Sequence, residues 1–360
     1  MVEEWGVVDH MKLAEFQDQI KAIGLDAALF YSREWDPNIY YFTGYSGSGI
    51  LVVPSRKDPF LIVPLMEEGK ARKTKIQIIS KNGLVWDVLK EEWEKKRIDA
   101  NQVGIDAKSL PFELAGNVKK QAKRLVDCHE ISSRLRSLKT KKEIAWLKRG
   151  CRLTDSLMQK TWKSWSTFET EADVAAFLEY HAKRKGCPTS FPTIIASGKH
   201  AGVPHHETAL KKIQRGFCVM DFGIRHKGYC TDISRTIAVG EIPSKLEKMY
   251  DRVLGSQLAA IEEIKPDVPC RKLDETARRV LGKNACLFTH GLGHGIGVEI
   301  HEPPWVNSRS VDMLESGMCI TIEPGIYTNK FGIRIEDDIL VTEKGPVMLT
   351  KSPKDLVVIS

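Results

Sequence analysis

The order of apolar and polar positions divides the chain into two parts. Up to about residue 128, short apolar runs alternate with stretches of helical period, an arrangement typical of an α/β domain. The predicted strands lie at residues 27–31, 50–53, 60–63, 76–79 and 103–105, and the predicted helices at 13–23, 67–72 and 84–94. We therefore predict an N-terminal α/β domain over residues 1–128.

The second part, residues 129–360, has longer amphipathic stretches separated by short strands with glycine-marked turns. Helices are predicted at 139–165, 169–185, 244–264 and 273–281. Thr167 or Thr170 is expected to cap the second of them, because threonine accepts hydrogen bonds from the first free N–H groups of a helix. This mixture predicts an α+β C-terminal domain.

Length and composition agree with two globular domains. The 360 residues exceed the size at which one hydrophobic core usually stops growing, and 42% hydrophobic with 28% charged residues exclude disordered classes. The first sixteen residues lack a basic segment followed by an apolar core, and no uncharged run approaches the roughly 18 residues of a membrane span. We expect neither secretion nor membrane insertion.

Cysteine spacing and charge bear on the location and the partners. The eight cysteines are scattered without a C-x-x-C pair, which predicts reduced thiols in a cytoplasmic protein. The formal net charge is +7, but the densest basic run, residues 139–142, opens a predicted helix. A solvated helix face explains this run better than a nucleic-acid surface.

Two predicted hairpins bring carboxylates together. In residues 217–236, a turn centred between His226 and Lys227 would place Asp221 directly opposite Asp232. In residues 321–340, a turn centred between residues 329 and 330 pairs Glu323 with Glu336. Like charges facing each other destabilise a sheet, and a cation between them removes that cost. Two such pairs in one chain therefore predict a carboxylate-rich metal site.

Histidines lie between the two hairpins. His290, His294 and His301 occur in a segment too rich in glycine for a stable helix, and glycine permits close backbone approach. His205 is a fourth candidate, next to Pro204. Four carboxylates and an imidazole can hold two divalent ions, which activate water and clamp a tetrahedral intermediate. The oxygen-rich set favours Mn²⁺ or a similarly hard ion.

Other catalytic motifs are absent from the sequence. It contains no H-E-x-x-H, no G-x-x-x-x-G-K-[ST], no G-x-G-x-x-G and no G-x-S-x-G. The metal site is therefore the chemistry that the sequence favours.

The order of the motifs resembles a known family. VMDFG, GYCTDISRT, GHGIG with HEPP, TIEPGIY and GIRIEDD occur in the order found in the Xaa-Pro peptidases, prolidase and aminopeptidase P, of the pita-bread metallopeptidase superfamily. YYFTGYSGSG resembles their N-terminal domain and KDLVVIS their ending. The resemblance implies a pita-bread catalytic domain, two metal ions (Mn²⁺ or Co²⁺, with Zn²⁺ as another choice), a small peptide substrate with proline second, and a homodimer.

The family pattern also implies a role for each candidate side chain. Asp221 would bind one metal, His294 and Glu323 the other, and Asp232 and Glu336 both. Glu323 would take the proton of the attacking hydroxide. His205 and His301 would bind the substrate carbonyl, His290 would relay protons, and Arg334 would orient a bridging carboxylate. The residues that carry these roles are Asp221, Asp232, His294, Glu323, Glu336, His205, His290, His301 and Arg334.

Three functions stay open on the sequence. We expect hydrolysis of Xaa-Pro dipeptides, because a chain with one N-terminal domain suits small substrates. Trp305 or Arg309, which follow HEPP, would then either cap the proline carboxylate or belong to a surface loop. Aminopeptidase P, acting on longer Xaa-Pro peptides, is the first alternative. A catalytically silent binding module on the same fold is the alternative from another class, and metal content separates it from the enzymes.

Overall fold

A computed structural model describes residues 10–83 and 85–359 of the chain. Contacts divide it into two compact units, Met1–Arg136 and Ser137–Ser360. The predicted boundary after residue 128 falls eight residues before this division. Residue 84, where one helix is predicted to start, lies outside the described residues. So do the first nine of the sixteen residues on which the expectation about secretion depends.

The N-terminal unit is an α/β domain. Its helices are α1 His10–Ala22, α2 Pro37–Thr43, α3 Glu68–Ala71, α4 Val85–Lys95, α5 Phe112–Lys119 and α6 His129–Ser137. Its strands are β1 Ala27–Ser32, β2 Gly49–Pro54, β3 Phe60–Pro64, β4 Gln77–Lys81, β5 Gln102–Ile105 and β6 Arg124–Asp127. They form one mixed sheet in the order β4-β3-β2-β1-β5-β6.

The apolar runs of this sheet are continuous because both of its faces are buried. In β1, Ala28 and Phe30 pack into a cluster on one face, while Ala27 and Leu29 pack into a cluster on the other. Strands covered on both sides lack the alternation of half-exposed strands. For this reason the short apolar runs correctly predicted β1, β2 and β3.

The C-terminal unit contains four long helices and two larger sheets among the described residues. The helices are α7 Lys141–Lys163, α8 Glu171–Arg184, α9 Ser244–Glu262 and α10 Cys270–Leu281. Its strands are β7 Ile194–Ser197, β8 Gly216–Phe222, β9 Arg225–His226, β10 Tyr229–Cys230, β11 Ile233–Val239, β12 Gly293–Gly295, β13 Glu302–Val306, β14 Cys319–Ile322, β15 Gly325–Tyr327, β16 Gly332–Arg334, β17 Asp337–Thr342, β18 Gly345–Met348 and β19 Val358–Ile359. The larger sheets run β19-β11-β8-β7 and β13-β12-β14-β17-β18, and β9/β10 and β15/β16 form two ribbons.

Capping decides where the helices begin. Thr140 and Thr170 each form a capping box, in which the threonine side chain accepts from the third helical N–H and the acidic side chain at that position accepts from the threonine N–H. Of the two caps predicted for the second helix, Thr170 is therefore correct. Thr167 ends a short 3₁₀ turn instead.

The first predicted hairpin register is wrong by two residues. β8 pairs with β11 so that Asp221 lies opposite Ser234, not opposite Asp232. Lys227 and Gly228 both have positive φ, of 51° and 80°, as the two central residues of a tight hairpin turn require. The turn is thus centred one residue later than predicted. Because side chains alternate along a strand, a shift of two leaves Asp221 and Asp232 on the same face.

The second predicted register is confirmed. Ile322 pairs with Asp337 on one side, and Gly325 pairs with Arg334 on the other. Glu323 and Glu336 lie between these two ladders in the predicted register. The glycines of β12 permit the close strand contacts nearby, since a Cβ on Gly293 would come within 2.0 Å of the Thr321 carbonyl oxygen.

Candidate active site

All nine side chains predicted for the site line one cavity of about 490 Å³ in the C-terminal unit. We call it the central cavity. Asp221 lies near the end of β8, Asp232 just before β11, His294 in β12, Glu323 after β14 and Glu336 before β17. Residues more than a hundred positions apart meet here because β11 contacts both β8 and β17 in the folded unit.

The carboxylates of the central cavity crowd one another. Burial, and then the neighbouring Glu336, raise the pKa of Asp232 well above its ordinary value. Burial, and then Glu323, do the same to the pKa of Glu336. Burial raises the pKa of Glu323 to about 8. Such shifts are expected where several carboxylates are buried close together, an arrangement that a cation stabilises.

Two oxygens of this set have no protein partner. Oδ1 of Asp221 and Oδ1 of Asp232 are buried and make no hydrogen bond to any described residue. A buried polar atom without a partner is costly. Hard divalent ions prefer oxygen ligands of this kind, so the donor set and its orphaned oxygens fit a metal centre.

His294 presents its Nε2 atom to the carboxylates. Its Nδ1–H donates to the carbonyl of Gly295 at 3.0 Å, which leaves Nε2 as the unprotonated nitrogen, 3.6 Å from Glu323 Oε1 and 3.9 Å from Asp232 Oδ2. Burial lowers the pKa of His294 to about 3. A neutral imidazole whose tautomer is set by a backbone carbonyl is the form that binds a metal.

Arg334 connects several parts of the cavity. Its Nη2 donates to Asp221 Oδ2 at 2.7 Å, its Nε to Ser234 Oγ at 2.8 Å and its Nη1 to Tyr327 Oη at 2.9 Å. The resemblance assigned it to a bridging carboxylate, but it contacts Asp221 directly. It reaches Glu336 only through Ser234, whose hydroxyl donates to Glu336 Oε2 at 2.7 Å.

The remaining histidines line the same cavity. His290 accepts from the Tyr327 hydroxyl at 2.9 Å and donates from Nδ1 to the Gly291 carbonyl at 2.8 Å. Burial lowers its pKa to about 4. The His301 ring lies edge-on to His294, with 4.4 Å between the ring centroids. His205 lines the same cavity.

Several residues in or beside the cavity were not singled out from the sequence. Ser234 and Tyr327, which bond Arg334, lie inside the motifs GYCTDISRT and TIEPGIY, but their polar side chains carried no assigned role. Phe191, Pro192, Ile194 and Ile300 form an apolar wall together with Trp305, which the sequence had suggested as a cap. The wall comes from two separate segments, so no sequence spacing groups its residues.

Of the two suggested caps for a proline carboxylate, only Trp305 lines the cavity. Arg309 is not among the described lining residues and its side chain is exposed. Its N–H donates to Asn307 Oδ1 at 2.9 Å, and Asn307 does line the cavity. Of the two readings left open for Arg309, the structure favours the surface loop over the cap. Arg334 is the only lysine or arginine among the described lining residues.

Comparison with known proteins identifies the family of both parts of the chain. The family model "Metallopeptidase family M24" matches residues 145–343, and "Creatinase/Prolidase N-terminal domain" matches residues 12–138. The chain is 34% identical to an Xaa-Pro dipeptidase of Pyrococcus horikoshii over 96% of this chain and 97% of that protein. The prediction of an α/β domain followed by a pita-bread catalytic domain is confirmed.

Two solved structures extend the comparison. An Xaa-Pro dipeptidase from Bacillus anthracis superposes with a TM-score of 0.90 at 31% identity, covering 98% of this chain and 100% of that one. An X-Pro aminopeptidase from Thermotoga maritima superposes with a TM-score of 0.86 at 29% identity, covering 95% and 100%. None of the helices in the described part of the chain combines the length and hydropathy that a membrane crossing requires.

Proposed function

Because the chain belongs to metallopeptidase family M24, we propose that it hydrolyses the peptide bond before proline in Xaa-Pro dipeptides. The observation that carries the proposal is the convergence of four carboxylates and one neutral imidazole on the central cavity. The similarity to Xaa-Pro dipeptidases over nearly the full length supports it.

Five side chains would hold two divalent ions. Asp221 would bind one ion, His294 and Glu323 the other, and Asp232 and Glu336 both. When bound, the ions supply a nucleophile at neutral pH and stabilise charge on the substrate oxygen. The predominance of oxygen ligands favours Mn²⁺ or Co²⁺, with Zn²⁺ as a further candidate.

The chain's own residues position the substrate and its protons. Glu323 accepts the proton of the attacking water on a carboxylate oxygen. His205 and His301 donate N–H hydrogen bonds to the substrate carbonyl oxygen, where negative charge develops. His290, fixed by the Tyr327 hydroxyl, moves protons between the site and the product amine.

The apolar wall accounts for the preference for proline. A peptide bond to proline has no N–H, and the ring fixes φ near −65°. A pocket that selects proline therefore needs shape and apolar contact more than a hydrogen-bond acceptor. Phe191, Ile300 and Trp305 supply such contact beside the carboxylates.

Aminopeptidase P activity is the second candidate, favoured by one observation. Arg334 is the only arginine or lysine among the described lining residues, and its guanidinium already bonds Asp221, Ser234 and Tyr327. No other lysine or arginine of the described lining is then available for the carboxylate of a dipeptide. Rates on Met-Pro, Met-Pro-amide and Met-Pro-Ala separate the two activities, since a dipeptidase loses most turnover on the last two.

Metal dependence tests the proposal as a whole. Chelation should abolish cleavage of Met-Pro, and Mn²⁺ or Co²⁺ should restore it. Asp232→Asn should abolish activity with the fold intact, whereas Asp251→Asn, on the exposed face of α9, should not. Full activity in metal-free protein would refute the proposal. A protein that binds two metals and cleaves no Xaa-Pro peptide would instead be the silent binding module.

The proposal extends to location and assembly. A cytoplasmic enzyme is consistent with eight cysteines that form no disulfide. Homodimerisation follows the family pattern, and light scattering of the purified protein measures it.

A further inference from the structure

A second cluster of metal-ligating side chains lies outside the central cavity. Glu171, His200 and His206 each offer a ligand atom, and these atoms lie within 4.8 Å of one another. Among the described residues only one other cluster meets this distance, and it consists of Asp232, His294 and Glu336 of the proposed metal centre. We call the first cluster the Glu171 group.

The geometry of the Glu171 group is symmetric about the carboxylate. His200 Nδ1 lies 2.9 Å from Glu171 Oε1, and His206 Nε2 lies 2.9 Å from Oε2. The two imidazole rings are nearly parallel, with centroids 4.6 Å apart and an interplanar angle of 17°. Two nitrogens therefore converge on one carboxylate from the same side.

The Glu171 carboxylate is buried and lacks a permanent positive partner. Its side chain has no exposed surface, and its ion-pair partners among the described residues are the two histidines. Burial raises its pKa, but hydrogen bonds from the Ser197 N–H and from both histidines outweigh burial and hold the pKa below the ordinary value. The carboxylate is therefore held in its anionic form, the form that binds a metal, beside the two imidazoles.

We propose that Glu171, His200 and His206 bind one zinc ion, at a site separate from the proposed pair of catalytic metals. Two imidazole nitrogens and one carboxylate oxygen are a donor set found in zinc proteins. This set does not suit Mg²⁺ or Ca²⁺, which prefer oxygen alone. The histidine side chains are 20% and 15% exposed, so water can reach the fourth position.

The surrounding residues can support both the empty and the loaded site. Without an ion, each imidazole N–H donates to the carboxylate, and the Gln214 amide N–H donates to His200 Nε2 at 3.3 Å. With an ion on Nδ1, His200 carries its proton on Nε2, and Gln214 accepts it after its amide rotates. Ser197 holds the carboxylate in place through its N–H at 2.7 Å and its hydroxyl at 2.8 Å, as outer partners of metal ligands do.

Occupancy would affect the segment that carries a proposed catalytic histidine. His205 directly precedes His206, and His200 lies at the other end of the same short segment. An ion bound to both histidines would tie the two ends of this segment to Glu171 at the start of α8.

Zinc stoichiometry tests the inference. Chelator-treated protein is dialysed against a small excess of Zn²⁺, desalted and measured by inductively coupled plasma mass spectrometry. We expect three zinc ions per chain in the wild type and two in His200→Ala and in His206→Ala. The matched control His181→Ala removes a histidine of α8 outside the Glu171 group and should retain three.

A second background makes the result independent of the proposed function. In Asp232→Asn/Glu336→Gln, which disables the proposed catalytic pair, we expect one zinc ion, and adding His206→Ala should leave none. Circular dichroism verifies that each variant is folded. If His200→Ala and His206→Ala both bind as much zinc as the wild type, the Glu171 group is a hydrogen-bonded clamp and the inference is wrong.

Discussion

Replacing Arg334 with lysine keeps the positive charge in the central cavity but removes the planar guanidinium and its hydrogen bonds. The guanidinium donates to Asp221, Ser234 and Tyr327, and also to the Pro204 carbonyl at 3.2 Å. Asp221 is itself a proposed metal ligand, and Ser234 bonds Glu336, which is another. Tyr327 bonds His290, and Pro204 directly precedes His205. A lysine ammonium is a point charge on a flexible stem and cannot hold this planar arrangement.

The magnitude follows from the bonds that are lost. A hydrogen bond to a charged group contributes about 1.5 to 3 kcal/mol, which corresponds to roughly 10- to 100-fold in an equilibrium constant. Changes in the outer partners of metal ligands commonly weaken metal binding by about the same factor. We therefore expect the affinity of Arg334→Lys for Mn²⁺ to fall about 10- to 100-fold.

Turnover should fall as well, even when Mn²⁺ saturates the variant. The Pro204 carbonyl directly precedes His205, and Tyr327 donates to His290, so both histidines lose a fixed neighbour. The assay is cleavage of Met-Pro over a Mn²⁺ titration, which yields the apparent metal affinity and kcat together. The apparent metal affinity reports on the proposed metal ligands, and kcat reports on the proposed catalytic histidines.

A matched arginine outside the metal ligands provides the control. Arg278 bonds Asp274 and the carbonyls of Phe288 and His290, and Arg278→Lys should leave the Mn²⁺ affinity unchanged. If Arg334→Lys binds Mn²⁺ within twofold of the wild type and keeps its kcat, the guanidinium does not organise the site and the reasoning is refuted.

Three further predictions concern the two histidines that donate hydrogen bonds to the substrate, the substrate itself and stability. His205→Ala and His301→Ala should each lower kcat about 10²- to 10³-fold with unchanged metal content, and loss of metal would make that residue a ligand instead. Xaa-Ala dipeptides should be cleaved at least about tenfold more slowly than Xaa-Pro, and equal rates would remove proline specificity. Burial raises the pKa of Asp36 to about 6, so its contribution to stability is complete below pH 4 and is lost as the pH rises through 6. A rise of this size in the pKa corresponds to at most about 3 kcal/mol of stability. Urea unfolding at pH 4 and pH 7 should therefore show that the free energy of unfolding changes less with pH in Asp36→Asn than in the wild type. Identical dependence in both proteins would contradict it.

The elements that sequence patterns missed are short or weakly periodic. α2 spans seven residues, Pro37–Thr43, and carries no long apolar stripe. The sequence nevertheless marks where it begins, with an aspartate followed by proline at the first helical position. In the structure the Asp36 side chain accepts a hydrogen bond from the Ile39 N–H. α5 and α6 are eight and nine residues long, below the length at which apolar periodicity identifies a helix.

The carboxylate pairs were predictable because their partners are close in sequence. Asp221 and Asp232 belong to one hairpin, and Glu323 and Glu336 to another, so the side-chain period of two already decides which residues share a face. In the first hairpin the turn lies one residue later than predicted, so Asp221 lies opposite Ser234 and not opposite Asp232. Since the error was an even number of residues, it did not move either aspartate to the other face.

The Glu171 group could not be predicted from the alternation of side chains along strands. Glu171 is separated from His200 by 29 residues and from His206 by 35, and these residues belong to a helix start and an irregular segment. Neither element has a fixed register that places one side chain opposite another. A glutamate directly after a threonine cap is ordinarily a solvent-exposed residue near the helix dipole. Only the fold reveals that it is buried, and an anion buried between two imidazoles is what distinguishes a candidate zinc site from a helix cap.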